Sequence, residues 1–384
     1  MNKVQKKTHA LLIGNFSNRT GYAWRNIYRL YNVIARELHC NDVGVCVSFA
    51  SISPPITIID DEIPVQSFCY DPINVAPSGV IRLIKNIKKY NIKYVYATDL
   101  KSYHWSYPLL RLAGVKYIVL HNRVSVANPY PVKPETGMKR LIKSLLARIE
   151  YINANKIYCV SDFTKHRLVN KSCVPEGRII RILNGINIDR FICPDKSTEG
   201  MVMIFAGARA TLHKGIQVLI EAANILLNVF KVENFNIHYA GNGPDMEYLT
   251  SLVRQYNLEN YFQFLGEVAG TQEYVCASDI VVVPSVWGDA CPSAVSEALA
   301  AGKPLITTKA GGIPEIVGSE ANAVLVEPGD AKALAARLND LIKDAELRAR
   351  YGKNARLRAE SALDEKIYYS TVISQIKLDF KFTK

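Results

Sequence analysis

The sequence predicts an α/β protein built from two Rossmann-like halves, each a parallel sheet wrapped by helices. Short apolar runs alternate with amphipathic stretches along both halves, which is the pattern of repeated strand–helix units. The alternation breaks once, where Leu183-Asn184-Gly185-Ile186-Asn187-Ile188-Asp189 is followed by Pro194 and a polar run to Gly200. Asn-Gly and Pro in a segment of low apolar content mark a turn and linker, so the boundary is expected near 185–200. The 384 residues suffice for two domains of ordinary size, each with its own core.

In the first half the strand candidates are His9–Ile13, Val43–Phe49, Tyr94–Ala97, Tyr117–Leu120, Ile157–Val160 and Ile179–Ile182. Between them Trp24–Leu38, Ser78–Tyr90 and Gly137–Ala154 read as helices, and Ser161 as the N-cap of a helix carrying Thr164 to Val169. After the linker the expected strands are Val202–Ala206, Asn236–Ala240, Tyr261–Leu265, Ile280–Val283, Leu305–Thr307 and Ala323–Val326. The expected helices are Ile216–Phe230, Asp245–Tyr256, Thr271–Ala277, Ser293–Ala301, Ala331–Lys343 and a last run from Asp364 to Phe380. Neither low-complexity sequence nor a short-period repeat is visible.

Hydrophobic content of 49% and mean hydropathy of +0.02 fit a globular chain and exclude the disordered class. A transmembrane helix is not expected, because no run approaches about eighteen apolar residues. The basic start is followed by only four apolar residues, Ala10 to Ile13, too few for a signal-peptide core and better read as a first buried strand. The eight cysteines are scattered without a C-x-x-C pair, which predicts reduced core thiols, no zinc site and a cytoplasmic location. Charge is uneven. Residues 1–190 carry 28 Lys and Arg against 12 Asp and Glu, a net of +16, whereas 191–384 carry 19 against 23, a net of −4. A basic half suits an anionic partner such as nucleic acid or the inner face of the cytoplasmic membrane, or is simply a solvated basic face. Tyr22, Trp24, Tyr28 and Tyr31 near Arg19 and Arg25 are either part of such a membrane contact or the core face of the first helix. The basic residues are interspersed and form no recognition module, so nucleic acid is the least favoured partner.

Three segments of the second half carry candidate chemistry. Gly207-Ala208-Arg209-Ala210-Thr211-Leu212-His213-Lys214-Gly215 leaves a strand and opens a helix, at the sheet edge where ligands of this class bind. Arg209 and Lys214 put two cations on one loop, and a helix N-terminus adds unpaired N–H groups, an arrangement suited to a diphosphate. Pro284 to Ala298 likewise leaves an apolar strand, with Pro292 read as the first helical residue. Asp289 and Glu297, eight apart, can bind vicinal hydroxyls of a sugar and of a ribose; equally, each can be an ordinary helix acid. In Ala310-Gly311-Gly312-Ile313-Pro314-Glu315 the paired glycines allow close approach to a ligand or a neighbouring loop, and Glu315 can be a first-turn acid.

Taken in order, Arg209-x4-Lys214-Gly215, Gly241-x-Gly243, Phe264-Leu265-Gly266, Pro284-Ser285, Asp289-x7-Glu297-Ala298, Gly302-x-Pro304 and Gly311-Gly312-x-x-Glu315 resemble the retaining family-four (group 1) glycosyltransferases of GT-B fold. The resemblance spans roughly 200 to 360, and the motifs are specific jointly rather than singly. It implies two Rossmann-like domains facing a central cleft: an acceptor-side domain (1–190), a nucleotide-sugar donor domain (191–362) and a C-terminal helix (363–384) crossing back to the first. It implies that Arg209 and Lys214 bind the donor diphosphate and stabilise the leaving nucleotide without a metal or other cofactor. Glu297 would hold the ribose, and Gly266 and the backbone N–H groups of Cys291, Ser293 and Ala294 would line the donor site. Asp289 stands beside the transferred sugar where the family usually has Glu, a shortening that changes which hydroxyl is gripped.

The first half matches less closely. Gly21 is the equivalent of a family glycine over the donor phosphates, although the usual adjacent glycine pair is missing. His121 ends a strand where the family often places a histidine near the donor sugar; the alternative is a satisfied strand-end histidine. The resemblance implies retaining transfer from a nucleotide sugar to a hydroxyl of a glycan or lipid-linked glycan, in polysaccharide or lipopolysaccharide synthesis. Two alternatives stand beside it: another reaction on the same fold, phosphorolysis or epimerisation, and a catalytically weakened nucleotide-sugar-binding subunit, motivated by Asp289.

Overall fold

The computed structural model describes residues 7–17, 25–51, 62–70, 77–123, 136–194 and 200–381. They form two units. The first comprises the residues up to Arg123, 136–182 and the last stretch from Tyr369; the second runs from Leu183 to Tyr368.

The first unit alternates β1 (His9–Ser17), α1 (Arg25–Cys40), β2 (Gly44–Ser51), β3 (Val65–Cys69), α2 (Pro77–Tyr90), β4 (Ile92–Thr98), α3 (Ser106–Leu112), β5 (Tyr117–Asn122), α4 (Gly137–Arg148), β6 (Lys156–Cys159), α5 (Asp162–Ser172) and β7 (Ile179–Arg181). Its seven strands are all parallel in the order β3-β2-β1-β4-β5-β6-β7. Leu11, Ile13, Val95, Ala97, Ile118, Leu120 and Ile157 share one face, where they pack with Leu83 and Ile87 of α2 and Tyr107 and Leu110 of α3. Strand alternation sends Tyr96 and Tyr158 to the other face, where Tyr31 of α1 donates to the carbonyl of Ile13 at 2.6 Å. Tyr31 has no exposed surface and packs tilted against Phe49 and edge-on to Tyr96, so of the two readings of the α1 aromatics the core-face reading holds for Tyr31. Tyr22, Trp24 and Arg19 lie outside the described residues.

The second unit runs β8 (Val202–Gly207), α6 (Ile216–Asn228), β9 (Phe235–Ala240), α7 (Met246–Gln255), β10 (Phe262–Gly266), α8 (Gln272–Ala277), β11 (Ile280–Val283), α9 (Ser293–Ala300), β12 (Leu305–Thr308), α10 (Ile313–Val317), β13 (Val324–Val326), α11 (Ala331–Lys343) and α12 (Ala345–Ala362). Its parallel order is β10-β9-β8-β11-β12-β13. One face packs on α6, α7 and α11, the other on α9, α10 and α12. Asp330 and Asp344 cap α11 and α12 by accepting from the N–H groups of Ala333 and Leu347, each at 2.8 Å.

The last helix, α13 (Glu365–Phe380), starts in the second unit and ends in the first. Its end is held there by a buried carboxylate: Asp379 accepts from Tyr158 at 2.6 Å and Tyr117 at 3.2 Å. Phe380 stacks on Tyr94 with ring centroids 4.6 Å apart.

The cysteines require a correction. Cys193 and Cys276 form a disulfide across 83 residues, while the other six are free thiols. The spacing gave no hint of it, because the pair meets only when the segment after Leu183 packs on α8. Burial pushes the Cys46 thiol up to about 12, as expected of an inert core cysteine.

Candidate active site

In the second sheet the strand order reverses between β8 and β11. Loops leaving the two strands of such a pair turn to opposite faces and leave a crevice at their carboxyl ends. A cavity of about 190 Å³ lies there, lined by the ends of both strands with Arg209, Lys214, Ile216, Ser285, Ser293 and Ala294. Ile216 opens α6 and Ser293 opens α9, so two helix N-termini border the same space. Each adds partial positive charge to that of the two cationic side chains. The cavity therefore suits an anion carrying more than one charge.

The loops around it brace one another. Val286 donates its N–H to the carbonyl of His213 at 2.9 Å, and Leu212 donates to the Asp245 carboxylate at 2.8 Å. Gly215 has φ 78°, and a Cβ there would sit 1.8 Å from the carbonyl oxygen of Pro284. Only glycine permits both the dihedral and the approach. Gly311, at φ 60°, is pressed against the backbone of Asp289, and Gly312 donates to the Asp289 carbonyl at 2.8 Å. Of the two uses foreseen for that glycine pair, the structure displays close approach to a neighbouring loop.

Four titratable groups shape the field. Lys214 Nζ forms a short, largely buried ion pair with Asp289 Oδ2. Glu297, 8% exposed, accepts from Thr271 Oγ1 at 2.7 Å. Burial pushes its carboxyl above the usual range, opposed by Thr271, Arg190 and Ser293. The His213 ring stacks on Trp287 at 6.0 Å, and burial together with Lys214 holds its pKa below the ordinary histidine value.

Arg209, Lys214, Ser293 and Ala294 thus come together as cavity walls. Asp289 and Glu297 are not among those walls but join them through side chains, Asp289 through Lys214 and Glu297 through Ser293. Cys291 is half-buried on the loop before α9, and Gly266 ends β10 at φ 69° with open space beside its α-carbon. Pro292 precedes α9 in an extended conformation rather than occupying its first helical position. Glu315 lies in the first turn of α10. Gly21 falls outside the described residues.

His121 belongs to the first unit. It ends β5 with no exposed surface, its Nδ1 2.6 Å from the Tyr96 hydroxyl and its ring edge-on to Tyr96 and Tyr158. Burial, then the Arg123 cation, hold its pKa well below 6.5, so the ring is neutral. The ring has a hydrogen-bonding partner, as in the strand-end reading of this histidine, because the alternation of an interior strand turns it inward. Thr271, Asp245 and the Lys214–Asp289 pairing were not foreseen. Their partners stand 26, 33 and 75 residues away, a separation over which no local motif carries information.

Two family models match: glycosyltransferase family 4 over residues 21–190 and glycosyl transferases group 1 over 194–358. WcaL of Escherichia coli (strain K12), provisionally named a colanic acid biosynthesis glycosyltransferase, is 31% identical over 217 residues, 54% of this chain and 53% of that protein. The capsular polysaccharide biosynthesis glycosyltransferase CapM of Staphylococcus aureus is 25% identical across 62% of this chain and 65% of its own. The chain spans about half the length of the first of the curated relatives it matches. A glycosyltransferase of Rickettsia africae superposes with a TM-score of 0.78 at 19% identity, covering 98% of this chain and 100% of that one. Anabaena HepE, crystallised with UDP, gives 0.73 at 18% identity, covering 96% and 99%. Sheet orders, the cavity at the reversal of strand order and both family models agree: the chain belongs to the group 1 glycosyl transferases and has the GT-B fold.

Proposed function

We propose that the protein is a retaining, metal-independent glycosyltransferase that moves a sugar from a nucleoside diphosphate sugar to a hydroxyl of a glycan or lipid-linked glycan. The observation that carries this reading is the convergence of Arg209, Lys214 and two helix N-termini on one cavity at the reversal point of the second sheet. Relatives named for colanic acid and capsular polysaccharide biosynthesis support an acceptor of the cell-surface glycan class.

In this reading the diphosphate lies against Arg209, Lys214 and the first N–H groups of α9. The bond between the anomeric carbon and the diphosphate oxygen breaks, and these groups take up the charge gathering on the leaving nucleotide. The acceptor hydroxyl bonds to the same face of the anomeric carbon and passes its proton to the departing diphosphate oxygen. No protein carboxylate need act as the base. Glu297, fixed by Thr271, accepts from the ribose hydroxyls. Asp289 orients Lys214 and lies beside the transferred sugar. Cys291 and Gly266 border the donor from the loops on either side. Work at the inner face of the cytoplasmic membrane fits the basic first half.

Incubation with UDP-, GDP- and ADP-linked sugars, reading nucleoside diphosphate with and without acceptor, tests this. Acceptor-dependent release from one of them is expected, and the absence of release from all would overturn it. A nucleotide-sugar-binding subunit without turnover is the second reading. The Lys214–Asp289 pair favours it, because a lysine already matched by a carboxylate offers a diphosphate less charge. Tight binding without release would decide for it.

A further inference from the structure

Helix α4 is mounted inside out. Met138, Leu141, Ile142, Leu145 and Leu146 recur at three- and four-residue spacing and form one stripe, and Ile149 extends it. A helix of a globular domain normally turns such a stripe to the core. Here these side chains are 42–70% exposed, while Ala147 is buried and Lys143 and Ser144 are half-buried on the opposite side. The orientation is fixed. Arg178 donates to the carbonyls of Ala147 at 2.8 Å and Arg148 at 3.1 Å, and Asn153 donates to those of Leu146 at 2.8 Å and Ile149 at 2.7 Å. These bonds clamp the helix end with its apolar stripe outward.

Charge identifies what covers the stripe. Lys139, Arg140 and Arg148 flank it, and no acidic residue occurs from Gly137 to Ile149. Beside the clamped end, Tyr103, Trp105 and Tyr151 are each about half exposed. They belong to the same surface, since Tyr103 pairs with Asn153 and Arg111 donates to the Tyr151 carbonyl at 3.2 Å. Apolar stripe, basic flanks and rim aromatics are the three contacts that a lipid interface rewards, at the acyl boundary, the anionic headgroups and the level between. A second copy of the chain would instead set the same cations face to face across a two-fold axis.

We propose that α4 is the membrane-docking element of this protein, lying in the plane of an anionic lipid bilayer with its apolar stripe in the acyl boundary. Among the described residues no helix is long and apolar enough to cross a membrane, so this contact is one of lying on the surface. The inference goes beyond the transferase reading and is read without nucleotide, so either can fail alone.

Flotation of the full chain with phosphatidylcholine vesicles, with and without phosphatidylglycerol, is the test, alongside the variant Leu141→Asp/Leu145→Asp. The wild type is expected to float with the anionic vesicles and at least about tenfold less with the neutral ones. The variant should lose about tenfold or more of that binding at an unchanged melting temperature, since both side chains are exposed. Should it melt early, Leu141→Ser/Leu145→Ser gives the same reading. Wild-type protein that stays unbound, variants that float like the wild type, or equal binding to both vesicles would overturn the proposal. So would a wild-type dimer that the variant dissolves, which would assign the stripe to a second copy.

Discussion

Lys214 is the residue on which the account of the second unit turns, because it faces the cavity and is also paired with Asp289. Lys214→Ala removes both interactions. Turnover should fall by about a hundredfold or more, and stability by about 1–3 kcal/mol, because the Asp289 carboxylate is left largely buried without its cation. Adding Asp289→Asn should restore part of the stability and none of the turnover, which a melting and rate series of the two singles and the double would resolve. His121 carries a different prediction, about pH. Its folded pKa lies well below the ordinary 6.5, so the unfolded chain takes up a proton that the folded chain refuses. The neutral ring's contribution is present above about 6.5 and is lost as pH falls below it, at about 1.4 kcal/mol per pH unit. His121→Gln should flatten the melting temperature's dependence between pH 7 and 5; an unchanged slope would place the proton elsewhere.

Among the elements, α13 illustrates how one buried side chain ties the end of the chain to the first unit. Asp379 is 7% exposed and accepts from two tyrosines, and burial together with this carboxylate pushes the Tyr158 hydroxyl pKa upward. Asp379→Ala leaves Tyr158 without that partner, and a stability loss of about 1–3 kcal/mol is expected. Hydrogen exchange would show it as faster opening of the end of α13; protection equal to wild type would contradict it. The elements also differ in how far the sequence foretold them. Strongly periodic segments such as Ala331–Lys343 read correctly to the residue, because a packed apolar stripe is a local signal. Helix α12 was missed because its inward positions include Arg348 and Gly352, which blur the stripe. Among the described residues strand β3 pairs only with β2 and keeps its side chains mostly exposed, and α3 has Pro108 inside a seven-residue helix, so neither displays the usual pattern.

At the scale of the whole molecule, the alternation of elements was enough to foresee two parallel sheets, and the loops leaving β8, β11 and β12 were enough to locate the candidate site. The pairings inside it were not legible. Lys214 with Asp289 and Thr271 with Glu297 depend on how three loops and α9 stack, and the fate of α4 depends on which side Arg178 and Asn153 clamp. In the proposed function the cavity between β8 and β11 binds the diphosphate of a nucleotide sugar. Calorimetric titration of the wild type and Arg209→Ala with UDP-, GDP- and ADP-linked sugars tests this binding. One of these is expected to bind the wild type, and Arg209→Ala to bind it at least about tenfold more weakly. Binding undiminished in Arg209→Ala, or no binding of any of the three to the wild type, would contradict it.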